Sequence, residues 1–446
     1  MVNKLLLMLL LSLWPGAMTL AQDDWTLADD QPIDPLNYTP EMETMLDSLL
    51  EIELKADLAD EAWPDSLARI IDFSGCMDFS IDRFYESLDR MPMLDRPVRI
   101  GYWGDSYIEA DIITGEFRKL LQDRFGGQGC GWVDCGKTTN SYRHTVKQRT
   151  EGFRQYFVME PQNFNPQLQG PSQRYFVTNG SASVSYSGTD AVRHQQRWDK
   201  AMLYFRTASP FTISVYANGD SVAAKTFQVK GSRKMQCVSI GSERGLESVR
   251  WDISGAKPDS YFFGAANDPL HGIQVDNFSV RGCTGLNIAD IPQETMRDFA
   301  LLRPYDLIVL QFGLNSTTAS ATDSHYDHYC EQMRKVIRLM KRTYPNAAIL
   351  LVSVPDRGVR TGGGIQTMKG ILNMLDHQEM LAEQERINFY NLYEAQGGAG
   401  ASRRMSQRGM LANDLLHINF KGGAYVAHKL IDALLAPYIG VDDFFQ

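Results

Sequence analysis

Three residues in two distant motifs carry the side chains of a nucleophile, a base and an acid. Ser106 lies in the segment PVRIGYWGDSYIEADIIT, directly after an apolar stretch. Asp414 lies three residues before His417 in NDLLHINFKGG. A serine hydroxyl becomes an effective nucleophile when a histidine takes its proton, and a carboxylate can hold that ring in the required tautomer. The pattern therefore predicts acyl transfer through a covalent serine intermediate.

Each motif also has a purely structural interpretation. Asp105 or Ser106 can cap a following helix, and Asp414 with His417 can form a turn before the last helix. Two further residues favour chemistry. Gly282 follows the strand candidate GIQVDNFSV, and Asn315 follows DLIVLQF. A backbone N–H and a side-chain amide at these places can stabilise an oxyanion, at roughly 3–4 kcal/mol for one donor, although turn residues are the alternative.

The elements that must position these residues alternate between strand and helix. Residues 97–103 predict a strand and Tyr107 to Phe125 a helix that Gly126 ends. From Gly272 onward the same alternation returns and indicates a mostly parallel sheet of about five strands. Further strand candidates are GIQVDNFSV, DLIVLQF, AAILLVSVPD and INFYNL, and further helix candidates are residues 326–343, 367–386 and 424–438. Carboxyl ends of parallel strands meet at one rim, so all the candidate residues are expected there.

Residues 142–270 have a different pattern. Short alternating segments such as FTISVYAN and VRWDIS are separated by Gly, Asn, Asp and Ser, which is typical of an antiparallel β-sandwich. We therefore expect a β-sandwich inserted into an α/β domain that comprises residues 97–141 and 271–446. Some aromatic residues of the insert can stack on sugars or form its core: Tyr186, Trp198, Tyr204 and Trp251.

The N-terminus predicts export. Lys4, an apolar run from Leu5 to Trp14 and the small-residue site at residues 19–21 indicate a signal peptide over residues 1–21, too short to span a membrane. Residues 22–96 are interpreted as a linker and an N-terminal helical segment. The net charge of −10 argues against a nucleic-acid partner and against an anionic membrane surface. Among the six cysteines, Cys130 and Cys135 are a candidate disulfide, with free buried thiols as the alternative.

The order of the motifs resembles that of the SGNH (GDSL) hydrolases. The matching residues are Gly104-Asp105-Ser106, Gly282, Gly313-Leu314-Asn315 and Asp414-Leu415-Leu416-His417, whereas Tyr107 and Ser316 depart from the usual Leu and Asp. The resemblance implies a flavodoxin-like three-layer fold. It also implies that Ser106 is the nucleophile, His417 the base and Asp414 its orienting acid, with the Ser106 N–H, Gly282 and Asn315 as the oxyanion hole. No metal or organic cofactor is implied.

The inserted module resembles the arrangement in exported bacterial peptidoglycan O-acetylesterases. The leading hypothesis is a secreted or periplasmic esterase that removes acetyl or other small acyl groups from a polysaccharide or peptidoglycan. A lipase- or thioesterase-like SGNH hydrolase, an acyltransferase and an inactive glycan-binding protein are the alternatives. The segment TDSHYDH at residues 322–328 can bind a metal, but it is interpreted as a helix start with acidic first-turn residues. The oligomeric state is left open.

Overall fold

The structure is a computed structural model that describes residues 69–136, 143–320 and 322–439. The signal peptide predicted at residues 1–21 and most of the segment predicted at residues 22–96 lie outside these ranges. In chain order, the strands are β1 (Ile71–Asp72), β2 (Val98–Gly104), β3 (Gly131–Val133), β4 (Lys147–Phe157), β5 (Arg174–Ser187), β6 (Trp198–Thr207), β7 (Phe211–Ala217), β8 (Lys225–Val229), β9 (Ser232–Leu246), β10 (Ser248–Ser254), β11 (Ser260–Asp268), β12 (Ile273–Ser279), β13 (Leu307–Gln311), β14 (Ala348–Val352), β15 (Gly358–Thr361), β16 (Gly364–Thr367) and β17 (Asn388–Tyr390).

The helices all lie outside the antiparallel part of the chain. They are α1 (Asp82–Asp89), α2 (Thr114–Phe125), α3 (Gln293–Leu302), α4 (Asp323–Thr343), α5 (Gly370–Gln384), α6 (Leu392–Ala395), α7 (Ala401–Gln407) and α8 (Phe420–Ile439). The long helix α2 packs against α8, and α4 packs against α3 and α5. Part of the helix predicted at residues 367–386 is instead the second strand of the hairpin β15–β16, and α5 begins at Gly370.

A mixed sheet forms the centre of the α/β part, in the order β1-β17-β14-β13-β2-β12. The strands from β17 to β12 run parallel, and the two-residue β1 pairs antiparallel with β17. Every residue of β13 and β14 is buried, as expected for parallel strands that are covered on both faces. The ends of β2, β12 and β13 therefore lie side by side. The sequence did not predict β1, and the three-layer arrangement stays a prediction.

A second sheet is antiparallel throughout and has the order β8-β7-β10-β5-β11-β6-β9, with β3 on β11 and β4 on β5. Hydrogen bonds connect all nine strands, although β5 and β11 are joined by one residue pair, Phe176 with Phe262. The division into two packed sheets, as in a sandwich, stays a prediction. The four aromatic side chains proposed for sugar stacking are all buried, which confirms the core interpretation.

The two sheets contribute to a common apolar core, and the antiparallel sheet has a second apolar cluster of its own. The antiparallel sheet contributes to the main core Trp132, Tyr175, Met202, Tyr204, Met235, Phe263 and Ala266. A buried ion-pair network crosses the same boundary. The Arg303 guanidinium donates to Asp268 of β11 at 2.8 Å and to Asp276 of β12 at 2.8 Å, and Asp268 also accepts from Arg99 of β2. Because removing one partner of a buried pair leaves an uncompensated charge, this network ties β11 to the parallel sheet.

Candidate active site

Ser106 lies at the turn that follows β2. The turn is held by Asp105, whose Oδ1 accepts the Tyr107 N–H at 2.9 Å, and by the Val280 N–H, which donates to the Gly104 carbonyl at 3.0 Å. A Cβ atom on Gly104 would lie 2.9 Å from the Ile108 side chain. The chain therefore needs glycine before the Asp-Ser pair, because any side chain there would push the turn away from its neighbours.

The predicted helix from Tyr107 to Phe125 is wrong in its first turns. A 3₁₀ segment covers Ser106–Asp111, and α2 begins only at Thr114. The backbone breaks because Ala110 and Asp111 have left-handed φ angles of 53° and 64°. The N-terminus of α2 is thus separated from Ser106 by the rest of the 3₁₀ segment.

Asp111 explains this break in the backbone. Its buried carboxylate accepts hydrogen bonds from Arg118 and Arg143 at 3.0 and 2.7 Å, and from the hydroxyls of Thr114 and Thr145. Burial alone would raise the pKa of Asp111, but the two arginines hold it below its usual range. These hydrogen bonds hold Ala110 and Asp111 in the left-handed conformation, because a strained backbone conformation persists only where many surrounding contacts stabilise it. The sequence offers no signal for the whole network, since Arg143 and Thr145 are 32 and 34 residues from Asp111.

The predicted nucleophile, base and acid lie in one hydrogen-bonded chain. Ser106 Oγ is 3.0 Å from Nε2 of His417, and His417 Nδ1 is 2.5 Å from Oδ2 of Asp414. Asp414 reaches back to the ring because Leu415 takes a left-handed φ of 59°. Its Oδ1 accepts the backbone N–H groups of Leu416 and His417, both at 2.9 Å. Distances of this size are those of a nucleophile, its base and the base's orienting group.

The charge state of Asp414 follows from these contacts. Burial acts to raise the pKa of Asp414, but hydrogen bonds from the His417 ring and from two backbone N–H groups outweigh it and lower the pKa below its usual value. The carboxylate is therefore ionised at neutral pH. An ionised acceptor at Nδ1 keeps the proton on that nitrogen and leaves Nε2 free to accept the Ser106 proton.

Asn315 lies at the same rim, in the 3₁₀ turn Leu314–Ser316 after β13. Its side-chain amide donates to Asp105 Oδ2 at 3.1 Å and to the Cys283 carbonyl at 3.0 Å. Both amide hydrogens therefore have protein acceptors. As an oxyanion donor, Asn315 would have to exchange one of these bonds for a bond to the substrate.

Gly282 occupies an exposed turn after β12, with a left-handed φ of 75° that favours glycine. In the part of the chain that the structure describes, the backbone N–H groups of Gly282 and Ser106 donate to no protein acceptor. Backbone donors without a partner at the carboxyl edge of a parallel sheet suit an anionic oxygen.

Asp105 is a site residue whose role the sequence did not predict beyond that of a helix cap. Its carboxylate is buried and joins two of the motifs, because Oδ1 accepts from the Ser106 turn and Oδ2 accepts from Asn315. Burial raises the pKa of Asp105 to about 6, against the opposing effects of the Tyr107 N–H, His417 and the Asn315 amide. Its position in the Gly-Asp-Ser motif was the available signal, but the partner on β13 was not visible in the sequence.

The other chemical candidates have structural roles. The segment TDSHYDH does begin a helix, because α4 starts at Asp323, and the His325 ring donates to the Ser316 carbonyl at 2.8 Å. Within the described residues, the possible metal ligands that cluster are Asp72, Cys76 and Asp82, which are distant from this segment in the chain. Cys130 and Cys135 are unpaired and buried, so the candidate disulfide is absent. Among the described helices, none has the length and apolarity of a membrane span.

Comparison with known proteins gives a match by structure. No family model matches the chain, and no curated protein matches its sequence. A solved peptidoglycan O-acetylesterase matches with a TM-score of 0.65 at 20% identity, over 83% of this chain and 99% of that chain. A Bacillus subtilis protein matches with a TM-score of 0.33 at 14% identity, over 70% of this chain and 91% of its own. A family two carbohydrate esterase from Cellvibrio japonicus matches with a TM-score of 0.26 at 9% identity, over 68% and 100% of the two chains.

The last two scores are too low to support an argument, and the first establishes a likeness of fold. The chain and the peptidoglycan O-acetylesterase share a mixed α/β architecture over almost the whole length of the latter. The likeness supports the predicted α/β fold, which combines a mostly parallel sheet with a separate antiparallel sheet.

Proposed function

We propose that this protein is an exported serine esterase that removes acetyl or other small acyl groups from a polysaccharide or peptidoglycan. The observation that carries the proposal is the chain of contacts from Ser106 Oγ through the His417 ring to Asp414. Support for the substrate class comes from the likeness in fold to a peptidoglycan O-acetylesterase. Support for export comes from the signal-peptide pattern of residues 1–21.

In the first half of the reaction, His417 Nε2 takes the proton of Ser106 as Oγ attacks the ester carbonyl carbon. The carbonyl π electrons move to oxygen, and the resulting oxyanion lies against the N–H groups of Ser106 and Gly282, with the Asn315 amide as the third donor. When the intermediate collapses, His417 gives its proton to the leaving hydroxyl oxygen of the glycan. Asp414 stabilises the transient imidazolium.

In the second half, a water molecule attacks the acyl-enzyme. His417 takes one proton from this water and returns it to Ser106 Oγ. The acyl group leaves as a carboxylic acid, which loses the second proton of the water to solvent. The same donors again meet a developing oxyanion. A preorganised donor is worth roughly 3–4 kcal/mol, and Asn315 contributes less because it must first give up one of its protein hydrogen bonds. If another hydroxyl compound replaces water, the same acyl-enzyme gives acyl transfer.

The experiment measures acetate release from O-acetylated peptidoglycan, acetylated xylan and pectin, together with hydrolysis of p-nitrophenyl acetate. We expect Ser106→Ala and His417→Ala to abolish release, at a loss on the order of 10³-fold or more in kcat. Ser221→Ala, which changes an exposed serine in the connection between β7 and β8, is the matched control. Full activity in Ser106→Ala would refute the proposal.

The pattern of substrates separates the other interpretations. Release from long-chain esters in preference to acetate would indicate a lipase- or thioesterase-like enzyme. Retention on a glycan column without hydrolysis of any ester would indicate an inactive glycan-binding protein. Consumption of ester without free acetate, in the presence of a second hydroxyl compound, would indicate a transferase.

A further inference from the structure

The connection between β4 and β5, residues 158–173, lies against the strand ends that carry Ser106 and Gly282. The loop is closed by the Val158 N–H, which donates to the Gln173 carbonyl at 3.2 Å. It is anchored to β2 because the indole N–H of Trp103 donates to the Pro171 carbonyl at 3.1 Å. The loop of the antiparallel sheet thus borders the candidate active site.

A small apolar cluster fixes the other side of this loop. Val158 is buried together with Val280 and Cys283, the residues on either side of the Gly282 turn. The Cys283 thiol also donates to Gln173 Oε1 at 3.6 Å. The end of the loop at Val158 and the turn at Gly282 are therefore packed against each other.

Met159 is the next residue along the loop, and it is 42% exposed. Its terminal methyl carbon, Cε, would lie 3.4 Å from a Cβ atom placed on Gly282, which is ordinary van der Waals contact. A flexible, apolar side chain thus lies beside Gly282, whose N–H is a candidate oxyanion donor. Methionine adapts its shape to small apolar groups more readily than a branched side chain does.

The sheet order indicates which half of the substrate approaches Met159. The loop of His417 contacts the segment after β14, because the Gly358 N–H donates to the Leu415 carbonyl at 3.3 Å. Met159 and Gly282 lie at the end of β12, and β2 with Ser106 lies between β12 and the strands β13 and β14. The leaving hydroxyl oxygen must face His417 to receive its proton, so the acyl group extends towards the β12 side.

From these contacts we propose that Met159 forms the end wall of the acyl pocket and limits the acyl group to a short chain. The inference rests on the proposed esterase function and assigns the antiparallel sheet a part in the acyl site. The acyl chain and the oxyanion are both bonded to the former carbonyl carbon of the ester. If the Gly282 N–H binds the oxyanion, a chain longer than acetyl meets the thioether of the adjacent Met159.

The test compares kcat/KM for p-nitrophenyl acetate, propionate and butyrate in the full chain. In Met159→Ala we expect the butyrate-to-acetate ratio to rise at least about tenfold, since one methylene group in a fitted pocket is worth about 10- to 200-fold. Met159→Leu should keep the wild-type ratio, because its volume is similar. Met93→Ala is the matched control, since Met93 is 77% exposed and lies in the turn after α1.

The outcomes distinguish the two proposals. An active Met159→Ala enzyme with an unchanged chain-length ratio overturns the acyl wall but leaves the esterase proposal in place. A changed KM for acetylated glycan with an unchanged ratio on the aryl esters also overturns it, because Met159 would then face the alcohol half. No hydrolysis of any ester by the wild type, with its thermal unfolding intact, overturns both.

Discussion

Asp105 shows how a single buried carboxylate can join two motifs of the candidate site. Its two oxygens accept from different donors, the Tyr107 N–H beside Ser106 and the Asn315 amide at the end of β13. The ionised carboxylate can accept a hydrogen bond at each oxygen, whereas the protonated form would direct an O–H group at one of the two donors. Burial, which raises its pKa to about 6, acts against the ionised form. The residue therefore stabilises the geometry of the site at some cost in the stability of the fold.

Replacing Asp105 with Asn tests whether the buried carboxylate lowers the stability of the fold. Because its pKa is raised in the folded chain, the folded chain binds this proton more tightly than the unfolded chain. The wild type should therefore lose stability relative to Asp105→Asn as the pH rises from about 4 to about 6. The expected change in the free-energy difference is at most about 3 kcal/mol.

Urea unfolding of both proteins across this pH range measures the difference. Parallel pH profiles for the two proteins would contradict the account of Asp105. At pH 7, kcat should fall in the variant, because an Asn side chain has one acceptor oxygen for two donors.

The turn after β2 illustrates which features were predictable at the scale of elements. Apolar residues at four-residue spacing correctly indicate α2. Continuous apolar runs indicate β13 to within one residue at each end and the start of β14, although β14 ends four residues before the predicted segment. The same spacing cannot reveal that Ala110 and Asp111 leave the helical conformation, because the cause is an ion network with Arg118 and Arg143. Tertiary contacts here override a local pattern.

Short elements were missed for a different reason. The two-residue β1 and the hairpin β15–β16 contain too few residues for a period of two to be recognised. The candidate residues Ser106, Asp414 and His417, in contrast, could be identified from their types and order, and Ser106 also from its place after β2. Their distances could not be predicted, because the reach of Asp414 to His417 depends on the left-handed Leu415.

Asp111→Asn should destabilise the protein strongly. The substitution leaves the guanidinium groups of Arg118 and Arg143 buried without a carboxylate, and breaking a buried pair costs about 3–5 kcal/mol. Chemical denaturation measures the loss. Asp123→Asn in α2 is the control, because Asp123 pairs with Arg193 and His194 near the surface and its replacement should cost about 1 kcal/mol or less. Equal losses in the two variants would contradict the role of the network.

At the scale of the whole molecule, the two sheets behave as parts of one structure. The antiparallel sheet places seven side chains in the main core, and Arg303 joins β11 to β12 through buried carboxylates. The antiparallel sheet also has an apolar cluster of its own, but a module that folds independently would have few apolar contacts across its boundary. We therefore expect the described part of the chain to unfold in one step.

Two spectroscopic probes can test this expectation, since they report on different parts. Trp132, Trp198 and Trp251, three of the seven tryptophans, lie in the antiparallel sheet, whereas the described helices lie in the α/β part. Urea transitions measured by tryptophan fluorescence and by helical circular dichroism should coincide. Two separated midpoints would show that the sheets fold independently.

The most direct test of the account is covalent labelling with a fluorophosphonate, followed by mass spectrometry of the peptides. An activated serine attacks the phosphorus and displaces fluoride, so the reaction reports on the contact between Ser106 and His417 without any knowledge of the glycan. We predict one adduct per chain, located on Ser106, absent in Ser106→Ala and much slower to form in His417→Ala. No adduct on the folded wild type, or equal labelling of Ser106→Ala at another residue, would contradict the assignment of Ser106 as the nucleophile.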